Sequence, residues 1–222
     1  MSWLSSLRGG GSRKEPAAAK GSGSQTQTAE ESPEIHRSLA LPAVFATLAR
    51  GHKLNVLDLG VALGSNVERL SEYGCRLDIE DLYASKSAAA EGGALGPDFF
   101  ADFLASAEGR QFDLVLAWDL FNYLDRKELA ELGRRLRQSC RPGALVFALV
   151  SYHKTIPAQP IRFRFIDQDQ DQLIYERRTT VERPGPRFAP AEFNELLRGF
   201  RVDRSFLLRH GIQEYLFMRE GS

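Results

Sequence analysis

Cysteine is scarce in this chain of 222 residues: Cys75 and Cys140 stand far apart, with no C-x-x-C pair. The four histidines, His36, His52, His153 and His210, are scattered. A disulfide framework and a zinc site both need closer spacing, so neither is expected, and no metal is assigned. Net charge is lacking too, because 29 lysines and arginines balance 29 aspartates and glutamates. No global field exists to attract nucleic acid or an anionic membrane. No apolar run reaches the roughly 18 residues a membrane span requires. The opening Met1-Ser-Trp-Leu-Ser-Ser-Leu7 is too short for a signal-peptide core, and a cytoplasmic protein is the expectation.

What is present is apolar residue in quantity, 43% of the chain, enough for one globular domain with a full core. Residues 8–32 hold almost nothing large and apolar, so burial cannot offset their ordering entropy, and residues 1–32 are expected to form a disordered tail. Within it, Trp3, Leu4 and Leu7 could touch a partner or a lipid surface. The folded domain is expected over 33–222. A helix is expected from Ser32-Pro33-Glu34, and another from Pro42 to Gly51 carrying Val44, Phe45 and Leu48.

From Lys53 short apolar runs alternate with helical periods, the pattern of βα units around a parallel sheet. Leu54 to Asp58 reads as a first buried strand, and Leu59-Gly60-Val-Ala-Leu-Gly64 as its exit loop. Ser65-Asn-Val-Glu68 has capping-box spacing, and Val67 and Leu70 supply the inward face of a helix ended by Gly74. Cys75 to Ile79 reads as the second strand, Phe99 to Asp102 as the third, Phe112 to Ala117 as the fourth and Ala144 to Val150 as the fifth. A helix opens at Asp125 with Glu128 three residues on and Leu129, Leu132 and Leu136 on one face. Pro190 opens a short helix with Phe193, Leu196 and Leu197 inward. Phe200 to Arg209 and Ile212 to Arg219 then form an antiparallel pair about His210-Gly211. Strict alternation in Pro160 to Ile166, followed by Leu173 to Arg177, marks an inserted hairpin with Phe163 and Phe165 on one face and Arg162 and Arg164 on the other.

Strand-Asp-Leu-Gly-loop-Gly, an acidic residue after the second strand, Phe-Asp-Leu-Val-Leu-Ala and Arg-Pro-Gly-Ala-Leu-Val-Phe together resemble the class I S-adenosylmethionine (SAM) methyltransferases over Leu54 to Arg219. The resemblance implies an α/β fold: a three-layer Rossmann-like sandwich around a mostly parallel seven-stranded sheet ending in an antiparallel hairpin. It implies SAM as cofactor and a small-molecule or protein methyl acceptor. It places Asp58, Gly60, Ala62 and Gly64 at the cofactor, with the loop against its methionine portion and ribose, and Asp81, with Glu80 beside it, at the ribose. Asp102 and Phe103 fall at the adenine, and Asp119 at cofactor or acceptor. Ala62 stands where the family usually has the middle glycine of Gly-x-Gly-x-Gly, which narrows the loop by one methyl group. Asn122-Tyr123 stands where many relatives carry Glu-His, so the candidates for a catalytic proton acceptor reduce to Asp119, Tyr123 and His153. For Trp118 and Tyr123, packing is the alternative to substrate contact. The inserted hairpin is placed over the open end of the site. The competing readings are a scaffold that kept the fold without catalysis and a nicotinamide-dependent oxidoreductase, the latter opposed by the closing hairpin and the missing Gly-x-Gly-x-x-Gly.

Overall fold

The computed structural model describes residues 32–50, 53–93, 96, 98–105, 109–166 and 171–221. Residues 1–31 of the expected tail, Gly51, His52 and most of the turn after Ile166 lie outside the described residues. The first strand of the central sheet is β2 (Asn55–Asp58), where Val56 and Leu57 are buried on opposite faces. With β3 (Arg76–Ile79), β4 (Phe112–Trp118) and β5 (Cys140–Ser151) it makes a parallel array, and β11 (Ile212–Arg219) and β10 (Phe200–Leu207) close the sheet as an antiparallel hairpin. The strand order is β10-β11-β5-β4-β2-β3. The sheet is a mixed one of six strands instead of the seven expected. Helices α3 (Leu82–Glu91), α4 (Phe99–Ala105), α5 (Arg126–Ser139) and α6 (Phe193–Leu196) contribute to the core on one face. On the other face lie α1 (Leu41–Arg50) and α2 (Gly64–Ser71). Asp125 and Glu128 form the capping box expected of α5.

The third strand is absent because its segment is α4: Phe100 and Leu104, four residues apart, face the core together, which is helical spacing, and no β-branched residue opposes it. The chain from Glu34 to Arg37 is a strand, β1, and not the expected helix. Its backbone pairs antiparallel with β8 (Gln172–Glu176), and the capping oxygen comes from Ser38, which accepts the Leu41 amide at 3.0 Å. Helix α2 begins at Gly64, one residue before Ser65, so the expected box does not form. Val67 is exposed on it, and Asn66 and Leu70 point inward.

The inserted hairpin is present as β7 (Arg162–Phe165) against β8, with Phe163, Phe165, Leu173 and Tyr175 buried on the α1–α2 side of the sheet. Between β5 and β7 lies β6 (Thr155–Pro157), paired with β9 (Glu182–Pro184). Asn66 joins the hairpin to α2: its Nδ2 donates to the Phe163 carbonyl at 2.8 Å and its Oδ1 accepts the Phe165 amide at 3.0 Å. An amide side chain thus extends the ladder by one rung where a helix meets a strand edge. Asn66→Ala strands a buried donor and a buried acceptor, and the expected cost is about 2–4 kcal/mol, read as a lowered urea midpoint with unchanged slope.

Candidate functional site

The strand order reverses between β2 and β4, and the carboxyl ends of β2, β4 and β5 open there, the usual place for a ligand in such sheets. Two spaces meet at that edge. The crevice over the Gly60 loop is bordered by Leu59, Gly60, Asp81, Tyr83, Trp118 and Phe163 and encloses about 30 Å³. The cavity beyond Asp119, under β6 and β8, encloses about 380 Å³. Asp119 borders both.

Trp118 fills the crevice. Alternation along β4 turns Leu114, Leu116 and Trp118 toward the α1–α2 face, and a bulge between Leu116 and Trp118 gives Trp118 a left-handed φ of 49°. That conformation is strained for a bulky residue. The indole donates from Nε1 to Asp58 Oδ1 at 2.7 Å and stacks on Phe163, with centroids 5.6 Å apart and planes 3° from parallel. A Cβ on Gly60 would lie 2.7 Å from the indole Cδ1, so close approach to this loop belongs to the protein's own ring. Asp58 Oδ1 also accepts the Gly60 amide at 2.9 Å. Burial pushes the Asp58 carboxyl up to about 6 against the pull of those two donors. Three further contacts close the crevice. The Tyr83 hydroxyl donates to the Ala158 carbonyl at 3.0 Å, Tyr83 meets the Tyr123 ring edge-on, and the Ile161 amide donates to Asp119 Oδ2 at 3.0 Å.

With the indole seated on Gly60, little free space remains over the loop. The enclosed space has about one tenth of the roughly 300 Å³ at the small end of ligand pockets. Among the residues assigned to SAM, Asp58 and Gly60 face the indole as described. Ala62 is exposed in the loop, and Gly64 opens α2. The Glu80 amide donates to the Asp58 carbonyl at 2.8 Å. Asp81 borders the crevice while its carboxylate caps α3 through the Ala84 amide at 2.9 Å. Asp102 and Phe103 lie on α4, the former exposed and the latter stacked on Phe99. Neither is among the crevice residues.

Of the three candidate proton acceptors, Asp119 is buried and held at about 7, chiefly by burial and against the pull of backbone amides. The Tyr123 hydroxyl lies within hydrogen-bonding distance of the Pro157 and Gln159 carbonyls, and burial with the Asp119 charge holds its proton well above the ordinary phenol range. His153 Nε2 sits 2.7 Å from the His210 carbonyl, a hydrogen bond in which the ring nitrogen donates. The cavity also gathers residues that sequence reasoning did not connect: Tyr175 from the inserted hairpin, His36 from β1 and His210 from the β10–β11 turn. The His36 and His210 rings lie 4.1 Å apart and the His36 and Tyr175 rings 4.5 Å apart. They come from three segments remote in sequence, so no local pattern announces them. Among the described residues no group of three metal-ligating side chains occurs, and no helix is long and apolar enough to cross a membrane.

The chain matches no protein-family model and no curated protein. Solved structures do resemble it. A SAM-dependent methyltransferase from Methanosarcina mazei is 14% identical, covering 82% of this chain and 98% of that one, with a TM-score of 0.47. The CcbJ methyltransferase from Streptomyces caelestis is 14% identical, covering 81% and 93%, with a TM-score of 0.48. The glycopeptide N-methyltransferase MtfA, solved in complex with SAM, is 17% identical, covering 80% and 92%, with a TM-score of 0.43. At these identities the likeness is one of fold.

Proposed function

We propose that this chain is a small-molecule-binding protein built on the methyltransferase fold, whose ligand enters the cavity beyond Asp119 while its own indole holds the nucleoside crevice shut. The observation that carries this reading is Trp118, seated on Gly60, bonded to Asp58 and stacked on Phe163 in the place a cofactor would need. The volumes agree with it: the cavity lies within the range of small-molecule sites and the crevice does not. A nicotinamide dinucleotide, larger still, is disfavoured on the same ground.

Calorimetric titration with SAM and with S-adenosylhomocysteine tests the reading. The expected result is no binding heat and no thermal shift, whereas a ligand at a hundred times its dissociation constant stabilises by about 2.7 kcal/mol. A second reading, SAM-dependent methyl transfer to a small-molecule or protein acceptor held in the cavity, is favoured by one feature, the left-handed φ of Trp118. Strain at that residue is relieved if the backbone leaves the left-handed region and carries the ring out of the crevice. On the second reading S-adenosylhomocysteine binds the unaltered chain. With Trp3→Phe leaving Trp118 as the sole tryptophan, its emission then moves to the red as the ring leaves the core.

A further inference from the structure

The cavity beyond Asp119 has a floor whose polar groups can be followed one by one. Asn122 is fully engaged, its Nδ2 donating to the Asp119 and Leu149 carbonyls and its Oδ1 accepting the Ser151 amide. The Tyr123 hydroxyl lies against the Pro157 and Gln159 carbonyls. Two groups differ. The Tyr175 hydroxyl is buried and has no hydrogen-bond partner. Asp119, 6% exposed, takes its hydrogen bonds from backbone amides alone, and none of the ion pairs among the described residues includes it.

A buried carboxylate without a counter-ion is costly in its charged form, and what removes the cost is a cation brought to it. No rim cation is paired with Asp119: Arg177 pairs with Glu182, His36 with Glu34, and Lys154 stands exposed at the mouth. The Tyr175 ring, which lines the same cavity, adds a face on which an ammonium is stabilised, whereas the Tyr123 ring already has the Arg183 guanidinium over it, 5.7 Å from its centroid. Tyr175 in turn packs against His36 and His210, which makes one wall of the cavity aromatic.

We propose that the cavity takes a small aromatic amine, whose ammonium group lies between the Asp119 carboxylate and the Tyr175 hydroxyl and whose ring lies along the Tyr175–His36–His210 wall. This rests on the cavity reading of the previous subsection and specifies its ligand. The ammonium donates one hydrogen bond to the carboxylate and a second to the phenol oxygen, so both unmet groups on the floor gain a partner and no charge stays buried alone. Nothing is transferred.

The test compares three probes of one shape and different charge: tyramine, the neutral 4-ethylphenol and the anionic 3-(4-hydroxyphenyl)propionate. Each is titrated into the full chain, with affinity from calorimetry and location from the amide resonances of Ser151 and Ile161. Tyramine is expected to bind at least tenfold more tightly than 4-ethylphenol and to move both resonances. Asp119→Asn, which keeps the acceptor for the Ile161 amide, is expected to erase that advantage, and Tyr175→Phe to reduce it, with each variant's fold checked by circular dichroism. If 4-ethylphenol or the propionate moves the same resonances as strongly as tyramine, the cavity reading stands and the amine inference is overturned. If tyramine keeps its advantage in Asp119→Asn, the amine inference is overturned as well. Should no probe move them, both are overturned.

Discussion

Trp118→Ala is expected to lower the stability of the chain by about 3–5 kcal/mol, the usual cost of removing a large buried aromatic side chain. Trp118→Gly is expected to cost about 1 kcal/mol less than the alanine variant, although it removes one more carbon. The inversion follows from the backbone: at a φ of 49° any Cβ meets the following carbonyl, and glycine alone escapes the penalty. Paired urea titrations of the two variants read the order directly, and a glycine variant less stable than the alanine one contradicts the strained bulge. The same glycine variant has a second expected property. With the indole gone, the crevice opens onto the Gly60 loop and Asp58, and S-adenosylhomocysteine, which on the proposed reading leaves the parent chain unbound, is expected to bind at micromolar concentration. A variant that stays blind to the nucleoside shows that the crevice is shut by more than Trp118.

Raising the pH from about 5 to about 8 is expected to destabilise the fold by on the order of 3–4 kcal/mol through Asp58 and Asp119. The folded carboxyls sit at about 6 and about 7, above the ordinary 3.8 of an unfolded aspartate. A raised folded value means that the folded chain holds protons the unfolded chain has released. The stabilisation is complete below the unfolded value and disappears as the pH climbs through the folded ones. Each pKa unit is worth about 1.4 kcal/mol. His210, held below its ordinary value by burial and by His36, works in the opposite sense, so the diagnostic quantity is a difference between two chains. Asp119→Asn is expected to flatten the fall by about half or more in melting curves taken across the window. A parent chain that gains stability over this range would contradict the burial of both groups as uncharged acids.

The reading of the sequence succeeded where local rules and tertiary packing agree. Helix α5 has its capping box and its leucine stripe, and the inserted hairpin alternates strictly. The closing antiparallel pair is set by two apolar runs around Gly211, whose φ of 74° suits the turn. It failed where short segments had no strong local preference. Four residues at Glu34 became a strand because β8 offered backbone partners, and Phe99 to Ala105 became a helix because Phe100 and Leu104 could reach the core together. The site divides in the same way. Asp58, Gly60 and Asp119 stand at the strand ends that the periodicity indicated, whereas the filling of the crevice by Trp118 depends on one bulge and on Phe163, which is 45 positions further along the chain.

From order and spacing alone the chain was bound to make a largely parallel α/β sheet closed by an antiparallel hairpin, because period-2 and period-3.6 patterns are local properties of the covalent sequence. Tertiary structure alone decided which of two adjoining spaces stays open. Whether an indole or a ligand lies on Gly60 is settled by contacts among β2, β4 and β7, and whether Asp119 meets a cation is settled by which charges β8 and the β10–β11 turn bring to its cavity. Contacts of that kind link residues far apart along the chain, and no period in the sequence records them.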